Sequence, residues 1–431
     1  MGIYANNNAG TTGNNLIFGT GSVINLGASD SAIGVYANQI DNVQARGVIA
    51  VGSNGIGMYA NNSNITLNNF TINLNGDNAL GYYIEGNSSS FTGNGTINID
   101  GQNVTLFNIN SNSPAVDFSG ITVGTVTAGS NYTLGSLTNG KMTYASDARL
   151  ATNGTMLNGR NTNIYLNGTS DIKAEAGATG VVAVALDGQY TGGAPITPGV
   201  DGKNDGQIIL GNSSVGLYGK NDARFENTHI ITVGDDSAGI YTDGALASIK
   251  NTGTITIGNN SQGLYLKNGD TIDNGGSILS LGISTVGIFA DNVTNPVINT
   301  GIIDLSGDKS VGIYKTGAVN SISNNNIIKI GDSSDLNDPG IGIYSNTAGD
   351  IITNSGTIDT GKNSIGIYAE GAAVNQNNIL SVGATGTGIY TKGGTVTLGA
   401  GSNITVGSNE SVGVYGTNGT HITNNSINAI N

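Results

Sequence analysis

The chain has 431 residues, a formal net charge of −14, 70 glycines and no cysteine, with 10% charged and 37% hydrophobic residues. So much glycine and so little charge exclude an ordinary globular composition, and hydrophobic residues arriving in regular short pulses exclude a disordered tract. The acidity disfavours a phosphate backbone, so no nucleic acid partner is expected; disulfides are excluded, and five prolines without a triplet glycine period exclude collagen.

The chain begins Met1-Gly-Ile-Tyr4, without the basic and apolar segments of a secretory leader. No run approaches the ~18 apolar residues of a membrane helix. Both ends stop inside a repeat, so a fragment of a longer chain is expected. The repeat is anchored by Gly-aliphatic-Tyr, whose third position falls at Tyr4, Tyr36, Tyr59 and Tyr83. It resumes at Tyr218, Tyr241, Tyr265, Phe289, Tyr314, Tyr344, Tyr368, Tyr390 and Tyr415. Between these runs, Phe107, Tyr144 and Val182 fill weaker slots. Tyr144 is supported by Asp147-Ala-Arg149, echoed as Asp222-Ala-Arg224 after Tyr218. Other phrases recur between slots, such as Ile231-Thr-Val-Gly234, Ile255-Thr-Ile-Gly258, Ser321-Ile-Ser-Asn324 and Ile351-Ile-Thr-Asn354.

Each cycle therefore reads as three short strands ended by Gly or Asn, too small to bury a core alone. Stacking the cycles solves this. The expected fold is all-β: a right-handed parallel β-helix, a solenoid with three short strands per turn of about 24 residues and lateral loop insertions. At ~4.8 Å per turn the rod would reach roughly 80 Å. Strict alternation in Ser310-Val-Gly-Ile-Tyr314 puts Val311 and Ile313 inside and Ser310, Gly312 and Tyr314 outside, the tyrosine ring shielding Gly312. The Tyr column is then structural, or else a long aromatic surface for partners. Asparagine tolerates left-handed corners and, repeated at one corner, can form a ladder of amides; Asn324 is such a corner residue.

The three steps into Tyr144, Val182 and Tyr218 are long. The organisation is read as 1–107 regular turns, 108–215 turns with long insertions, and 216–431 regular turns. The middle block holds Tyr132, Tyr165 and Tyr190, which lie outside the slots, and Pro114, Pro195 and Pro198. Its clearest non-repeat stretch runs from Asp187 through Gln189 and Tyr190 to Asp201, Lys203 and Gly206. Loops carry function, so a lateral knob binding a partner is weighed against a decoration that packs on the shaft. The candidate partner-binding residues are Tyr132, Tyr165, Gln189, Tyr190, Asp201 and Lys203, exposed tyrosine being a suitable anchor. Shorter insertions are read at Asn38–Ala45 and Asp332–Pro339.

Catalytic chemistry is thin. His229 and His421 lie far apart in sequence, and no cysteine exists, so no nucleophilic triad is read. A glycan-processing β-helix would need clustered carboxylates with nearby bases. Asp235, Asp236, Asp332, Asp335 and Asp338 are candidates, with few basic neighbours. Asp201-Gly-Lys-Asn-Asp-Gly206 starts like a calcium loop, but Lys203 and Asn212 occupy ligand positions. No cofactor and no metal is expected; an ion held by Asp201 and Asp205 is the remaining option.

The repeated Ser-Xaa-Gly-Ile-Tyr, followed by Ile-Thr-Asn-Xaa-Gly-Thr-Ile-Xaa-Val-Gly, resembles the passenger domains of type V autotransporter adhesins, and most of all the very large fusobacterial outer-membrane adhesins. The resemblance covers nearly the whole chain and is weakest at 108–215. It implies a bacterial cell-surface rod, anchored in the outer membrane by a C-terminal barrel that this sequence does not include. It also implies attachment to host cells or other bacteria through a host protein receptor or a galactose-type glycan. No binding residue can be carried over. A monomeric, non-enzymatic adhesin segment is expected, with a pure spacer and a glycan-processing enzyme as alternatives.

Overall fold

The computed structural model describes residues 1–7, 12–27, 31–86, 89–110, 116–117, 120–408 and 410–426. Two compact units, Met1–Ile208 and Ile209–Asn431, divide the chain. Each is a β-solenoid of parallel strands. Among the described residues there is no helix.

The second unit is the more regular. Its tyrosine strands run from Val215–Lys220 and Ala238–Asp243 to Val412–Thr417, each paired in parallel with the equivalent strand one coil later. A second ladder runs from Arg224–Asn227 to His421–Asn424, and a third from Ile230–Val233 to Asn403–Val406. Registers are in phase. Tyr218 meets Tyr241, and the column continues through Phe289 to Tyr415. Each ladder sends an apolar column inward: Leu217 through Ile313 to Ile389, Phe225 through Ile322 to Val396, and Ile231 through Ile328 to Ile404, all buried. Each such side chain contributes about 1.5–3 kcal/mol of apolar burial.

The strict alternation expected for Ser310–Tyr314 fails at one point. Ile313 faces inward and Tyr314 outward, as expected, but Gly312 also faces inward and Val311 is half-buried outside. A Cβ on Gly312 would lie 2.5 Å from the Gly342 carbonyl oxygen and 2.6 Å from the core side chain of Ile328. Glycine is there because the chain bends, so two consecutive residues point into the core and backbones of successive coils approach closely. Tyr314 therefore does not cover Gly312. Ser310 is likewise inside: its hydroxyl is buried and lies 2.9 Å from that of Thr285. In earlier coils the Ser237 and Ser261 hydroxyls accept backbone N–H groups of the preceding coil, from Ser214 and Ser237.

Asparagine does two jobs, on different residues. Asn62, Asn268 and Asn292 adopt left-handed φ just after strands of the aromatic column, where other coils use Gly86, Gly317 or Gly371. Asn324 is not among the left-handed residues. It belongs to a buried ladder in which the Nδ2 of Asn227 donates to Asn251 Oδ1 at 2.8 Å. The chain of bonds continues through Asn274, Asn299, Asn324 and Asn354 to Gln376, at 2.7, 2.7, 2.8, 2.8 and 3.0 Å. All seven side chains are fully buried, which is tolerable only because their amides are paired.

The first unit starts on the same plan and departs from it. Its long strands Asn42–Val51, Asn64–Leu74 and Ser90–Ile99 combine two legs of the coil across a register shift. The stretch Asn38–Ala45 is therefore mostly strand, since Val43 pairs with Ile65, and not an insertion. The tyrosine column passes from Tyr83 to Asn108, Ser136, Asn158 and Ala185. None of the slots read at Phe107, Tyr144 and Val182 is correct. Phe107 sits beside the slot, in register with buried Tyr82; Tyr144 is in the next ladder, in register with Leu166; Val182 precedes the slot, opposite Thr155. The Asp147-Ala-Arg149 echo misled, because Asp147–Leu150 pairs with Asp171–Ala174, a different leg from Arg224–Asn227. One more coil fits in the block than the sequence suggested, so most of the apparent insertion is ordinary coil.

Candidate functional site

Among the described residues, the clearest extra chain in the first unit is the loop 188–201, between strands Val182–Asp187 and Gly202–Asn204. It is fastened down rather than projecting. Asp201 is fully buried, and its Oδ1 accepts the Tyr190 N–H at 2.8 Å. Buried Asn163 donates through Nδ2 to Thr197 Oγ1 and to the Val200 carbonyl, each at 2.8 Å, while its Oδ1 accepts the Ile196 N–H at 2.6 Å. The Tyr190 ring is 8% exposed, and its hydroxyl donates to the Gly192 carbonyl at 3.0 Å. Gly192 is required there, since a Cβ would come within 2.7 Å of the ring. Thr191, Gly193, Ala194, Pro198 and Gly199 form the exposed rim. Of the block's prolines, Pro195 is half-buried and Pro114 lies outside the described residues.

Three of the six candidate residues are thus inside. Tyr190 and Asp201 hold the loop. Tyr132 is 3% exposed, and its hydroxyl lies 2.6 Å from that of Tyr144, both meeting the Asp147 carbonyl. Burial pushes Tyr132 up to about 12 and raises Tyr144 as well. Both rings are buried in the core, so they cannot be surface anchors. Gln189 is half-buried in the loop base.

The other two come together. Tyr165 and Lys203 are register partners on adjacent coils, both pointing outward. The Lys203 ammonium stands 5.6 Å from the Tyr165 ring centroid and 3.1 Å from Asp205 Oδ1. The Tyr165 hydroxyl donates to Asp205 Oδ2 at 2.7 Å, a bond that raises its pKa. This patch offers an aromatic body, an ammonium and a carboxylate within one coil step. Such groups suit a polyhydroxyl or peptide contact at a flat surface. Asp205, read from the sequence only as an ion ligand with Asp201, was missed as a member of this patch; it lies just past the strand Gly202–Asn204, two residues beyond Lys203.

In the second unit the candidate carboxylates brace coils. Asp235 Oδ1 accepts the Asn259 N–H, Asp236 takes the Asn260 amide, and Asp332 Oδ1 accepts the Lys362 N–H. The Asp332–Pro339 insertion is a true loop, between strands Ile327–Ile330 and Ile341–Ser345, tied by Lys309 to Asp338 at 3.1 Å. Among the described residues no group of three or more His, Asp or Glu side chains could hold a metal ion. A shallow groove of about 510 Å3 runs along one corner past Thr228, His229, Thr252, Gly253, Gly276 and Gly301. Its walls are hydroxyls and backbone, able to hydrogen-bond but not to do acid–base work beyond one imidazole. Comparison with protein-family models, with curated proteins and with solved structures returned no match, so the functional reading rests on the molecule itself and on the sequence resemblance.

Proposed function

We propose that this chain is a shaft segment of a bacterial surface adhesin, a right-handed β-helix with three strands per coil whose main task is to hold binding elements away from the cell. The observation that carries this reading is the self-satisfaction of the coils: the buried asparagine ladder and the stacked tyrosines spend their polar and aromatic groups on neighbouring coils. Rings stacked face to face present only edges outward, which disfavours the column as a sugar-stacking surface. The 188–201 loop, bound down by Asn163 and Asp201, supports a decorating role over a projecting knob.

A second reading keeps a contact function in this segment, at Tyr165, Lys203 and Asp205, with a host receptor or galactose-type glycan as partner. One experiment separates the two. The fragment, its Tyr165→Ala/Lys203→Ala variant and a variant with 191–199 replaced by a short Gly-Ser linker are tested on host cells and a glycan array. The shaft reading expects no variant-sensitive binding. Binding by the parent that is lost in the double variant would replace it with the contact reading.

A further inference from the structure

The outward phenols form stacked runs. From Tyr4 through Tyr36 and Tyr59 to Tyr83, ring centroids are 4.9, 4.9 and 5.2 Å apart, with interplanar angles of 9°, 5° and 4°. From Tyr314 through Tyr344, Tyr368 and Tyr390 to Tyr415 the separations are 4.5, 5.0, 5.0 and 5.4 Å, at 14°, 14°, 9° and 25°. Tyr218 and Tyr241 form a pair at 5.4 Å and 9°. Tyr265 belongs to no phenol stack: it lies at 89° to Tyr241, and its other neighbour is Phe289. The rings are half-buried, with Tyr4 59% and Tyr415 48% exposed, so their outer edges are open to a diffusing oxidant. Some phenols already hold a proton acceptor: Tyr59 donates to Glu85, and Tyr368 donates to Glu370 Oε1 at 2.7 Å.

We propose that these runs are sites of oxidative dityrosine cross-linking, each link a covalent staple between successive coils. The oxidant is a peroxidase supplied with hydrogen peroxide. It removes one electron from each of two neighbouring phenols. The phenolic proton leaves with it, to Glu370 in the case of Tyr368, because an oxidised phenol is a far stronger acid than a carboxyl group. The two radicals join through ring carbons ortho to oxygen. Each ring then sheds its ortho hydrogen as a proton and its oxygen is reprotonated, restoring two phenols. The balance is two tyrosines and one hydrogen peroxide giving one dityrosine and two waters. Parallel coils supply what the coupling needs, since equivalent ring atoms are already in register and no chain has to diffuse.

The test treats the whole chain, at several protein concentrations, with peroxidase and hydrogen peroxide, follows dityrosine fluorescence and maps linked peptides by mass spectrometry. Links are expected within the chain, independent of concentration, and confined to Tyr4–Tyr36–Tyr59–Tyr83, Tyr218–Tyr241 and Tyr314–Tyr344–Tyr368–Tyr390–Tyr415. Tyr265 and the buried Tyr82, Tyr132, Tyr144 and Tyr190 should carry none. Tyr368→Phe should remove the links to Tyr344 and Tyr390 while Tyr314–Tyr344 survives. Glu370→Gln should slow links at Tyr368 several-fold and leave Tyr4–Tyr36 unchanged. The proposal is overturned by links that form between chains in proportion to concentration, by a pattern that includes Tyr265 or Tyr190, or by no dityrosine at all.

Discussion

The coils from Val215 to Thr417 and those from Val104 to Asp187 solve the same problem differently. In the second unit a glycine column lets each coil bend, and an aromatic column stacks outside. In the first unit the column of Gly34, Gly57 and Gly81 gives way to Leu106, Leu134, Met156 and Ala183, opposite one another by register. The tyrosines vanish over the same coils, where the Ser136 hydroxyl donates to Asn108 Oδ1 at 2.7 Å instead of a ring stacking. The two columns change together. Stacking is worth about 0.5–1.5 kcal/mol per aromatic pair, so a tyrosine flanked by Asn and Ser has little to gain. Bulk moves inward, as Tyr82, Phe107, Tyr132 and Tyr144, and the core there holds buried phenols.

The contrast can be broken most forcefully in the second unit, at a buried ion pair. Lys315 and Asp350 form a fully buried ion pair at 2.8 Å, with the Ala318 carbonyl, the Asn320 N–H and the Ser345 hydroxyl completing their bonds. Lys315→Ala strands the carboxylate and should cost about 3–5 kcal/mol, seen as a lower urea midpoint. Adding Asp350→Leu should recover part of that loss; no recovery would mean that the methylene packing of Lys315 matters more than its charge.

Alkali should sharpen the contrast. Tyr132, with its pKa raised to about 12 from 10.0, keeps its proton in the folded state at a pH where the unfolded chain has lost it. Its contribution to stability is therefore full below pH 10 and is lost as pH rises toward 12. Tyr82 and Tyr144 act in the same direction, also through burial. Hydrogen exchange across this range should show the first unit opening around these residues, with their phenolate absorbance appearing in the same transition. Gradual ionisation without opening would refute the core placement.

A smaller effect is expected at Asn299. Alanine there deprives Asn274 Nδ2 of its acceptor and Asn324 Oδ1 of its donor, a loss of about 2 kcal/mol. The outward Asn375→Ala, three coils further along the same sheet, should stay within about 0.5 kcal/mol; equal effects would deny the ladder its role. Smallest is Asp201→Ala, about 1 kcal/mol and local. The Tyr190 amide should lose protection from exchange while the coil strands keep theirs.

How much of this could be read in the sequence depended on redundancy. The period, the inward Ile313 and the outward Tyr314 were legible because many coils repeat them. The bend at Gly312 was not, because period-2 alternation has no term for a corner inside a strand; the clue was that no other residue type takes that position in the regular coils. Ser310 looked like a surface residue until the next coil supplied a partner for its hydroxyl. In the block from Val104 to Asp187 the anchors Phe107, Tyr144 and Val182 were chosen for their side chains, whereas register is set by backbone pairing. Tyr165 and Lys203 were named from the sequence, but their meeting depended on the coil register that those anchors missed.

The asparagine ladder has one further property. Every amide from Asn227 to Asn354 gives a hydrogen toward its C-terminal neighbour, and from Asn251 onward each takes one from behind, so the side-chain dipoles all point along the axis in one sense. A single flipped amide would set nitrogen against nitrogen on one side and oxygen against oxygen on the other. The column is therefore vectorial: each coil that docks inherits its amide orientation from the one before, and hydrogen bonds polarised in series strengthen one another. Up to Gln376, where the next coil places Leu398 in register, each coil meets a surface that already knows which way is forward.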